Sequence, residues 1–550
     1  MNKVERREAG ILRVLFAVGL LTALLCAASS QAQEQPAQTP APTQQQPDQK
    51  QADKSVRPAQ DQAPPSPKEE PPKEEVKITP RQAEELFHSV DEILEFDSKQ
   101  TGLPIKHGIK RKLTSRDEVV SFLTKHVDDE DTKRLRRSEL VLKKFGLLPR
   151  DFNLETFLVA LLREEVAGYY DPKTKTVNLL DWVPMEEQEP VMAHELTHAL
   201  QDQSVGLQKW MKKGEKDLGE IKKDPTPADI ENDEIDNARE AVIEGQAQAM
   251  MFQYAIAPTG HSIVDSPALV DAMVEETLTG TPGTNVFNEA PIFMKESLTF
   301  PYSYGMEFIV KLMRKSGKEK AFAGVLQNPP HTTRQIMEPE TYLSGERLEP
   351  MRVPDFKHDF KDYQKFDIGA MGEFDVAVLI EQYAGKPLSK KLYPEWRGGY
   401  YYAAKAKPDP RSELKSQSKS DSKPEWKSDP TADSAATSAL GLLYVSRWSS
   451  ADTAAEFAAI YAHSLQQRYK KAEEAGTHNR AALDPASDRA AVQNAKSDIE
   501  PLHGRHTWTT EDGAVIIEEQ GDTVLVSESL NAATTETLEK EVFAAPLAPK

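Results

Sequence analysis

The stretch "VMAHELTHALQDQ", residues 191–203, contains His194, Glu195 and His198 in the order H-E-x-x-H. The chain has 12 histidines in 550 residues, so a chance match somewhere has odds of roughly one in a hundred. Apolar residues such as Leu196 are interleaved with the motif, which predicts a helix packed inside the protein. The meaning of the motif therefore depends on what the rest of the chain places beside it.

The spacing of the two histidines suits a metal ion. On a helix, His194 and His198 lie on one face, one turn apart, so both imidazoles can bind the same ion. Glu195 would lie beside the ion without ligating it, where it could take a proton from a water molecule and pass it to a leaving amine. A catalytic zinc site also needs a third protein ligand and one open position.

The next predicted helix supplies two candidates for the third ligand. The stretch "EAVIEGQAQ", residues 240–248, contains Glu240 and Glu244. If this helix packs antiparallel to the first, Glu244 can point at the metal ion. In the competing assignment Glu240 is the ligand and Glu244 is its hydrogen-bonding partner, so both glutamates remain candidates.

The chain resembles the gluzincin metallopeptidases, the thermolysin and aminopeptidase-like group with H-E-x-x-H and a downstream glutamate. "IEGQA", residues 243–247, is similar to the N-E-G-x-A element of that group, although Ile243 replaces the asparagine. The resemblance covers roughly residues 155–345. It implies Zn²⁺ as the cofactor, Glu244 as the third ligand and Glu195 as general base and acid.

Two further patterns fit this resemblance. "FPYSYGMEFIVKLM", residues 300–313, is similar to a Tyr-x-x-Gly helix start, which implies that Tyr302 donates a hydrogen bond to the developing oxyanion; aromatic core packing is an equal alternative. "GYYDPKTKTVNLL", residues 168–180, predicts two short strands about a turn, and the resemblance implies an edge strand that binds an extended peptide. His331 is a weaker candidate for a second hydrogen-bond donor.

The N-terminus predicts export. Basic residues precede an apolar run of about 15 residues from Val14, and small residues follow near Ala32, as in a secretory signal peptide over residues 1–32. The Pro- and Gln-rich residues 33–76 predict a disordered linker. The expected location is periplasmic or extracellular, with membrane contact only if the signal stays uncleaved. Cys26 is the only cysteine, so any metal site of the mature chain must use histidine and carboxylate ligands.

Composition and patterning predict an α+β fold. Residues 77–350 are expected to form a mostly helical, zincin-like metallopeptidase domain with a short edge-strand sheet, and residues 351–550 a smaller C-terminal α+β module. The polar segment at about 408–435 is predicted to be a flexible insertion. The net charge of −20 argues against nucleic acid as a partner.

These observations lead to two functional hypotheses. The first is an exported zinc-dependent metallopeptidase that acts on a peptide or protein substrate. The alternative is a non-catalytic envelope binding or assembly protein on a peptidase-like scaffold. Glu195 distinguishes the two, because a peptidase that has lost its activity has no need of this residue, and here it is intact.

Overall fold

The computed structural model describes residues 78–119, 129–165, 168–183, 185–211, 225–279, 285–407, 430–475 and 499–544. The predicted signal peptide and linker lie outside the described residues, as do residues 408–429 of the predicted insertion. The fold is α+β, as predicted, and contains a three-stranded sheet and a seven-stranded sheet. No helix of the described ranges is both long and apolar enough to span a membrane.

The first half of the described chain is mainly helical. Its elements are α1 (Pro80–Thr101), β1 (Lys110–Thr114), α2 (Asp129–Phe145), α3 (Leu154–Glu165), β2 (Gly168–Asp171), β3 (Thr176–Leu180), α4 (Met185–Val205), α5 (Leu207–Met211), α6 (Pro227–Glu231), α7 (Ile235–Ile256), α8 (Pro267–Thr279), α9 (Asn285–Asn288), α10 (Ile292–Glu319), α11 (Val325–Gln327), α12 (Thr333–Met337) and α13 (Pro339–Ser344).

The second half is built on one antiparallel sheet with the strand order β4-β5-β6-β10-β9-β8-β7. Its elements are α14 (Phe356–Asp359), β4 (Tyr363–Ala370), α15 (Glu373–Ala384), α16 (Lys386–Leu392), β5 (Trp396–Ala406), α17 (Pro430–Ser438), β6 (Leu440–Trp448), α18 (Ala451–Arg468), β7 (Ala472–Glu474), β8 (Gly504–Thr510), β9 (Gly513–Gln520), β10 (Thr523–Glu528) and α19 (Ala532–Val542). The stretch "GAVIIEEQGDTVLVSES", residues 513–529, predicts a hairpin from its two apolar runs, and β9 and β10 form that hairpin.

The small sheet has the order β1-β3-β2, so β2 is an edge strand, as predicted. Strands β2 and β3 pair antiparallel about the predicted turn, and β1 joins β3 in parallel. Asp202, near the end of α4, anchors the hairpin: it accepts hydrogen bonds from the Tyr170 hydroxyl (2.9 Å) and the Leu207 amide (2.9 Å). The edge strand is thereby held against the helix that carries the histidines.

Helices α4 and α7 lie in the interior. Every residue from Val191 to Gln203 on α4 is buried, and so is every residue from Ala238 to Gln253 on α7. A helix that buries all its faces is surrounded by other elements rather than lying on the surface. This interior position brings the polar residues of the two helices out of water, where they need partners.

Two predicted helix starts were wrong. Proline is typical of the first turn of a helix, so Pro190 predicts a helix start beside it, but α4 begins at Met185 and Pro190 lies inside it. Likewise α10 begins at Ile292 rather than near Tyr302, and it includes Pro301. Proline favours a helix start only as a local signal. The turn before Pro301 buries apolar side chains such as Leu298, and this packing outweighs the local signal.

Helices α7 and α10 touch backbone to backbone. A Cβ atom added to Gly245 would lie 2.2 Å from the carbonyl carbon of Gly305, and one added to Gly305 would lie 2.2 Å from the carbonyl oxygen of Ala241. Only glycine permits such an approach. Because Tyr302 precedes Gly305 by one turn and Glu244 is next to Gly245, this crossing brings Tyr302 and Glu244 together.

The buried apolar core is shared by residues on both sides of position 350. The rings of Phe300, on α10, and Phe374, on α15, pack with their centroids 4.5 Å apart. Both belong to one contiguous cluster of buried side chains that extends from Leu86 to Val526. The division into domains at residue 350 stays a prediction.

Candidate metal centre

The two central helices bring three side chains together at their nitrogen and oxygen atoms. The His194 Nε2 and His198 Nε2 atoms are 3.1 Å apart. Glu244 Oε2 is 3.2 Å from His194 Nε2 and 3.4 Å from His198 Nε2. The three residues are at most 4 % exposed. The structure therefore places all three predicted ligands in one buried cluster.

The spacing of these atoms fits a tetrahedral metal ion. A tetrahedral ion bound at about 2.0–2.1 Å keeps neighbouring ligand atoms about 3.3–3.4 Å apart. The three distances in the cluster lie close to that value. The buried His194, His198 and Glu244 triad could therefore bind a metal ion.

The geometry favours Glu244 over Glu240 as the third ligand. Among the described residues, it is Glu244 that joins the two histidines in a group able to hold an ion. Glu240 lies one turn earlier on α7. Burial, together with the Glu244 and Asp236 carboxylates, raises the pKa of Glu240 to about 8. A carboxyl group with this pKa is largely protonated at neutral pH and is a poor metal ligand.

The charges of the triad are balanced in the absence of a metal ion. Burial opposes the charged form of His198, but the Glu244 carboxylate outweighs it and raises the pKa of His198 to about 9. Burial also opposes the charged form of Glu244, yet His198 and His194 lower the pKa of Glu244 to about 2. Glu244 thus needs a cation beside it. The His198 proton is one such cation, and a metal ion would be another.

Glu195 lies between the triad and the edge strand. Burial raises the pKa of Glu195, while His194, His198 and a hydrogen bond from the backbone N–H of Tyr170 act in the opposite direction. Gly168 allows strand β2 to come this close, because a Cβ atom there would lie 2.9 Å from Val191 Cγ1 and 3.7 Å from Glu195 Cγ. The carboxylate therefore faces both the triad and a main-chain donor of β2.

Tyr302 also reaches the cluster. Its ring lies near-parallel to that of His194, with the centroids 6.2 Å apart and an interplanar angle of 25°. Its hydroxyl is buried and lies beside the Glu244 carboxylate, without a hydrogen bond of ordinary geometry in the described part of the chain. Burial and the carboxylates of Glu244, Glu240 and Glu195 raise the pKa of Tyr302 well above its usual value. The hydroxyl thus keeps its proton beside the triad, while its role as an oxyanion donor stays a prediction.

A pair of glutamines that the sequence analysis did not single out supports His198. His198 Nδ1 lies 2.9 Å from Gln201 Oε1, to which it donates. The Gln201 amide donates to the Ile243 carbonyl (2.9 Å) and to Gln246 Oε1 (2.9 Å). Gln246 in turn donates to the Ala321 carbonyl (2.8 Å). The chain of bonds holds the Nδ1–H of His198 on Gln201 and so directs Nε2 at the triad.

His194 lacks the hydrogen bond on Nδ1 that orients His198. His194 Nδ1 is buried and has no hydrogen-bond partner among the described residues. The orientation of His194 is set by packing instead, between His198 and the ring of Tyr302. The only sequence signal for the glutamine pair was the presence of Gln201 and Gln246 in helices predicted to be buried, where an amide must find partners.

Comparisons of the chain with protein-family models, curated proteins and solved structures gave no match. The similarity to gluzincins therefore rests on the motif residues themselves.

Proposed function

We propose that the chain is a zinc-dependent metallopeptidase that hydrolyses peptide bonds. The observation that carries the proposal is the convergence of His194 Nε2, His198 Nε2 and Glu244 Oε2 at spacings of 3.1–3.4 Å, with Glu195 directly following the first histidine. Two imidazoles and one carboxylate form the ligand type of catalytic zinc, whereas calcium and magnesium prefer oxygen ligands alone. A bound zinc would supply a Lewis acid that polarises a carbonyl and acidifies a water molecule.

Side chains of the protein would accept and donate the protons that move during hydrolysis. The Glu195 carboxylate accepts a proton from the attacking water and donates it to the nitrogen of the leaving amine. Burial, which raises the pKa of Glu195, improves its ability to accept that proton. The Tyr302 hydroxyl, which lies beside the Glu244 carboxylate, donates to the substrate oxygen as negative charge develops there.

Strand β2 would orient the substrate. It is an edge strand of its sheet, and its neighbour Glu195 accepts a hydrogen bond from the backbone of Tyr170. An extended peptide that adds to this edge places its carbonyl groups along the strand beside the triad. A peptide or protein is the substrate class that this mode of binding selects. The signal-like N-terminus supports action outside the cytoplasm, in the periplasm or beyond the cell.

One observation favours the second candidate, a non-catalytic envelope binding or assembly protein on a peptidase-like scaffold, in which the ion would only stabilise the fold. His194, Glu195 and His198 are each 4 % exposed, and Glu195 already accepts a hydrogen bond from Tyr170. Burial of this degree leaves little room for a substrate, whereas a catalytic zinc site keeps one coordination position open. The two candidates differ in whether Glu195 matters for turnover.

A Glu195→Gln variant tests the proposal. The variant keeps the three ligands, so it should bind one zinc as the wild type does, but it lacks the proton acceptor and should not hydrolyse a peptide library. Glu84→Gln, an exposed change on α1, serves as the matched control and should retain full activity. Hydrolysis by the Glu195 variant at the wild-type rate would overturn the mechanism. Zinc binding without hydrolysis by the wild type would favour the second candidate.

A further inference from the structure

A second site is suggested by a cavity of about 480 Å³ between the start of α7, the α12–α13 segment and the start of β5. Small-molecule sites are commonly of this size. None of His194, Glu195, His198, Glu244 or Tyr302 lines the cavity, so it is separate from the candidate metal centre. His331, considered above as a hydrogen-bond donor for catalysis, belongs to this cavity instead.

Three buried residues that line this cavity carry polar atoms without a hydrogen-bond partner among the described residues. Arg239 is 9 % exposed, its Nη1 donates to the Trp210 carbonyl, and its Nε has no acceptor among the described residues. Trp396 is 3 % exposed and its Nε1 also has no acceptor there. Glu234 Oε2 is likewise without a donor in the described part of the chain. Leaving such groups unpaired costs free energy that a bound ligand could recover.

The cationic groups of the cavity are only partly neutralised. Arg334 is paired with Glu346 and Glu373. By contrast, Arg239, Lys320 and Arg347 form no ion pair within the described ranges, although the whole chain carries a net charge of −20. His331, Arg239 and Arg347 line the same cavity, and burial, then the charges of Arg347 and Arg239, lower the pKa of His331, against the opposing charge of Glu231. Five basic side chains line the cavity against four glutamates, and the pKa of one of these, Glu234, is raised to about 8, so the lining carries a small excess of positive charge.

The other side chains that line the cavity restrict the charge and the polarity of a ligand that can bind there. Glu231 and Glu349 stand at the same cavity without a cationic partner among the described residues, and they would repel a doubly charged anion. Apolar side chains complete the wall, among them Ile230, Leu348 and Met351. A ligand with a single negative charge and an apolar group matches this combination of side chains.

We propose that this cavity binds a small organic monoanion, a carboxylate with an apolar substituent, through Arg239, Arg347 and Trp396. The two guanidinium groups accommodate the carboxylate, and the Trp396 indole N–H donates to a further polar atom of the ligand. The apolar substituent packs against Leu348 and Met351. Arg239 lies on α7, the helix that carries Glu244, so an occupied cavity would also stabilise the start of that helix.

Isothermal titration calorimetry on the full chain tests the proposal with three probes: N-acetyl-phenylalanine, its uncharged carboxamide, and inorganic phosphate. We expect the carboxylate to bind saturably and the carboxamide and phosphate to bind at least about tenfold more weakly. Equal binding of acid and amide, stronger binding of phosphate, or no saturable binding of the acid would each overturn the proposal.

Two arginine variants test whether N-acetyl-phenylalanine binds in this cavity. Arg347→Ala removes an exposed side chain, and Arg239→Lys keeps the charge but loses the fork of donors. Each should weaken binding of N-acetyl-phenylalanine about tenfold or more. Lys540→Ala, which removes an exposed charge on α19 outside the cavity, should leave it unchanged. Undiminished binding by both arginine variants would place the ligand elsewhere and refute the assignment.

Discussion

Gly245 and Gly305 meet where α7 crosses α10, so closely that a Cβ atom on Gly245 would lie 2.2 Å from the backbone of Gly305. The contact links the two sequence patterns that resemble gluzincins, "IEGQA" and "YSYG", because each pattern contains one of the two glycines. Glu244 precedes one glycine directly, and Tyr302 precedes the other by one turn. The crossing therefore determines the distance between the candidate third ligand and the candidate oxyanion donor.

Replacing Gly305 with alanine should destabilise the fold. The new Cβ would lie 2.2 Å from the Ala241 carbonyl oxygen, so the two helices must separate. We expect a loss of about 1–3 kcal/mol in the free energy of unfolding, measured by urea titration. Gly108→Ala is the matched control, since a Cβ there meets nothing within 4 Å. A Gly305→Ala variant as stable as the control would contradict the described crossing.

The glutamine pair should influence the affinity for metal. Gln201→Ala removes the acceptor of His198 Nδ1–H and frees the imidazole to turn. We expect zinc affinity to fall about 10–100-fold, measured by competition with a chromophoric chelator. Gln208→Ala, an exposed change on α5, should leave the affinity unchanged. If Gln201→Ala also had no effect, packing alone would be sufficient to orient His198.

The two glutamates of α7 should differ as ligands. Glu244→Ala removes an oxygen of the triad and should abolish stoichiometric zinc binding. Glu240→Ala removes a neighbouring carboxyl group whose pKa is raised to about 8, and it should retain the ion. Inductively coupled plasma mass spectrometry of both purified variants makes the comparison. The reverse ranking would make Glu240 the third ligand.

Glu234 should make stability depend on pH. Burial, and then the Asp375 and Glu373 carboxylates, raise its pKa from 4.5 to about 8. Because the folded-state pKa is raised, its contribution to stability is complete below pH 4.5 and is lost as the pH rises toward 8.

The Glu234→Gln variant, which does not ionise, should lose this part of the pH dependence. Scanning calorimetry between about pH 5 and 8 should show a decline in the wild-type Tm that is larger by a few degrees than the decline in the variant. Since other titrating groups are common to both proteins, their effects cancel in the difference. Parallel Tm curves would show that Glu234 ionises normally in the folded protein.

The sequence was most informative where chemistry depends on local spacing. His194 and His198 share a helix face by their spacing alone. The stretch "IDNAREAVIEGQAQAMMFQYAI", which contains Glu244, also predicts a helix by its pattern, and the observed helix spans the same residues, Ile235–Ile256. The edge strand β2 also followed from a local turn signal. Each of these predictions needed only a few neighbouring residues.

Features that depend on distant contacts were not predictable in this way. The bonds of Gln201 to Gln246, and of Gln246 to Ala321, join three separate segments. The pairing of β6 with β10 likewise joins strands that are far apart in the chain. The choice of Glu244 over Glu240 depended on how α7 rotates against α4, which is set by packing rather than by the motif.

The central claim is that His194, His198 and Glu244 bind one metal ion. The most direct measurement is the zinc content of the purified chain by inductively coupled plasma mass spectrometry, with His194→Ala as the comparison. About one zinc per chain in the wild type, lost in the variant, is the predicted result. A wild-type chain that holds no zinc even after reconstitution would contradict the claim, and the three side chains would then form a buried ion pair and no metal centre.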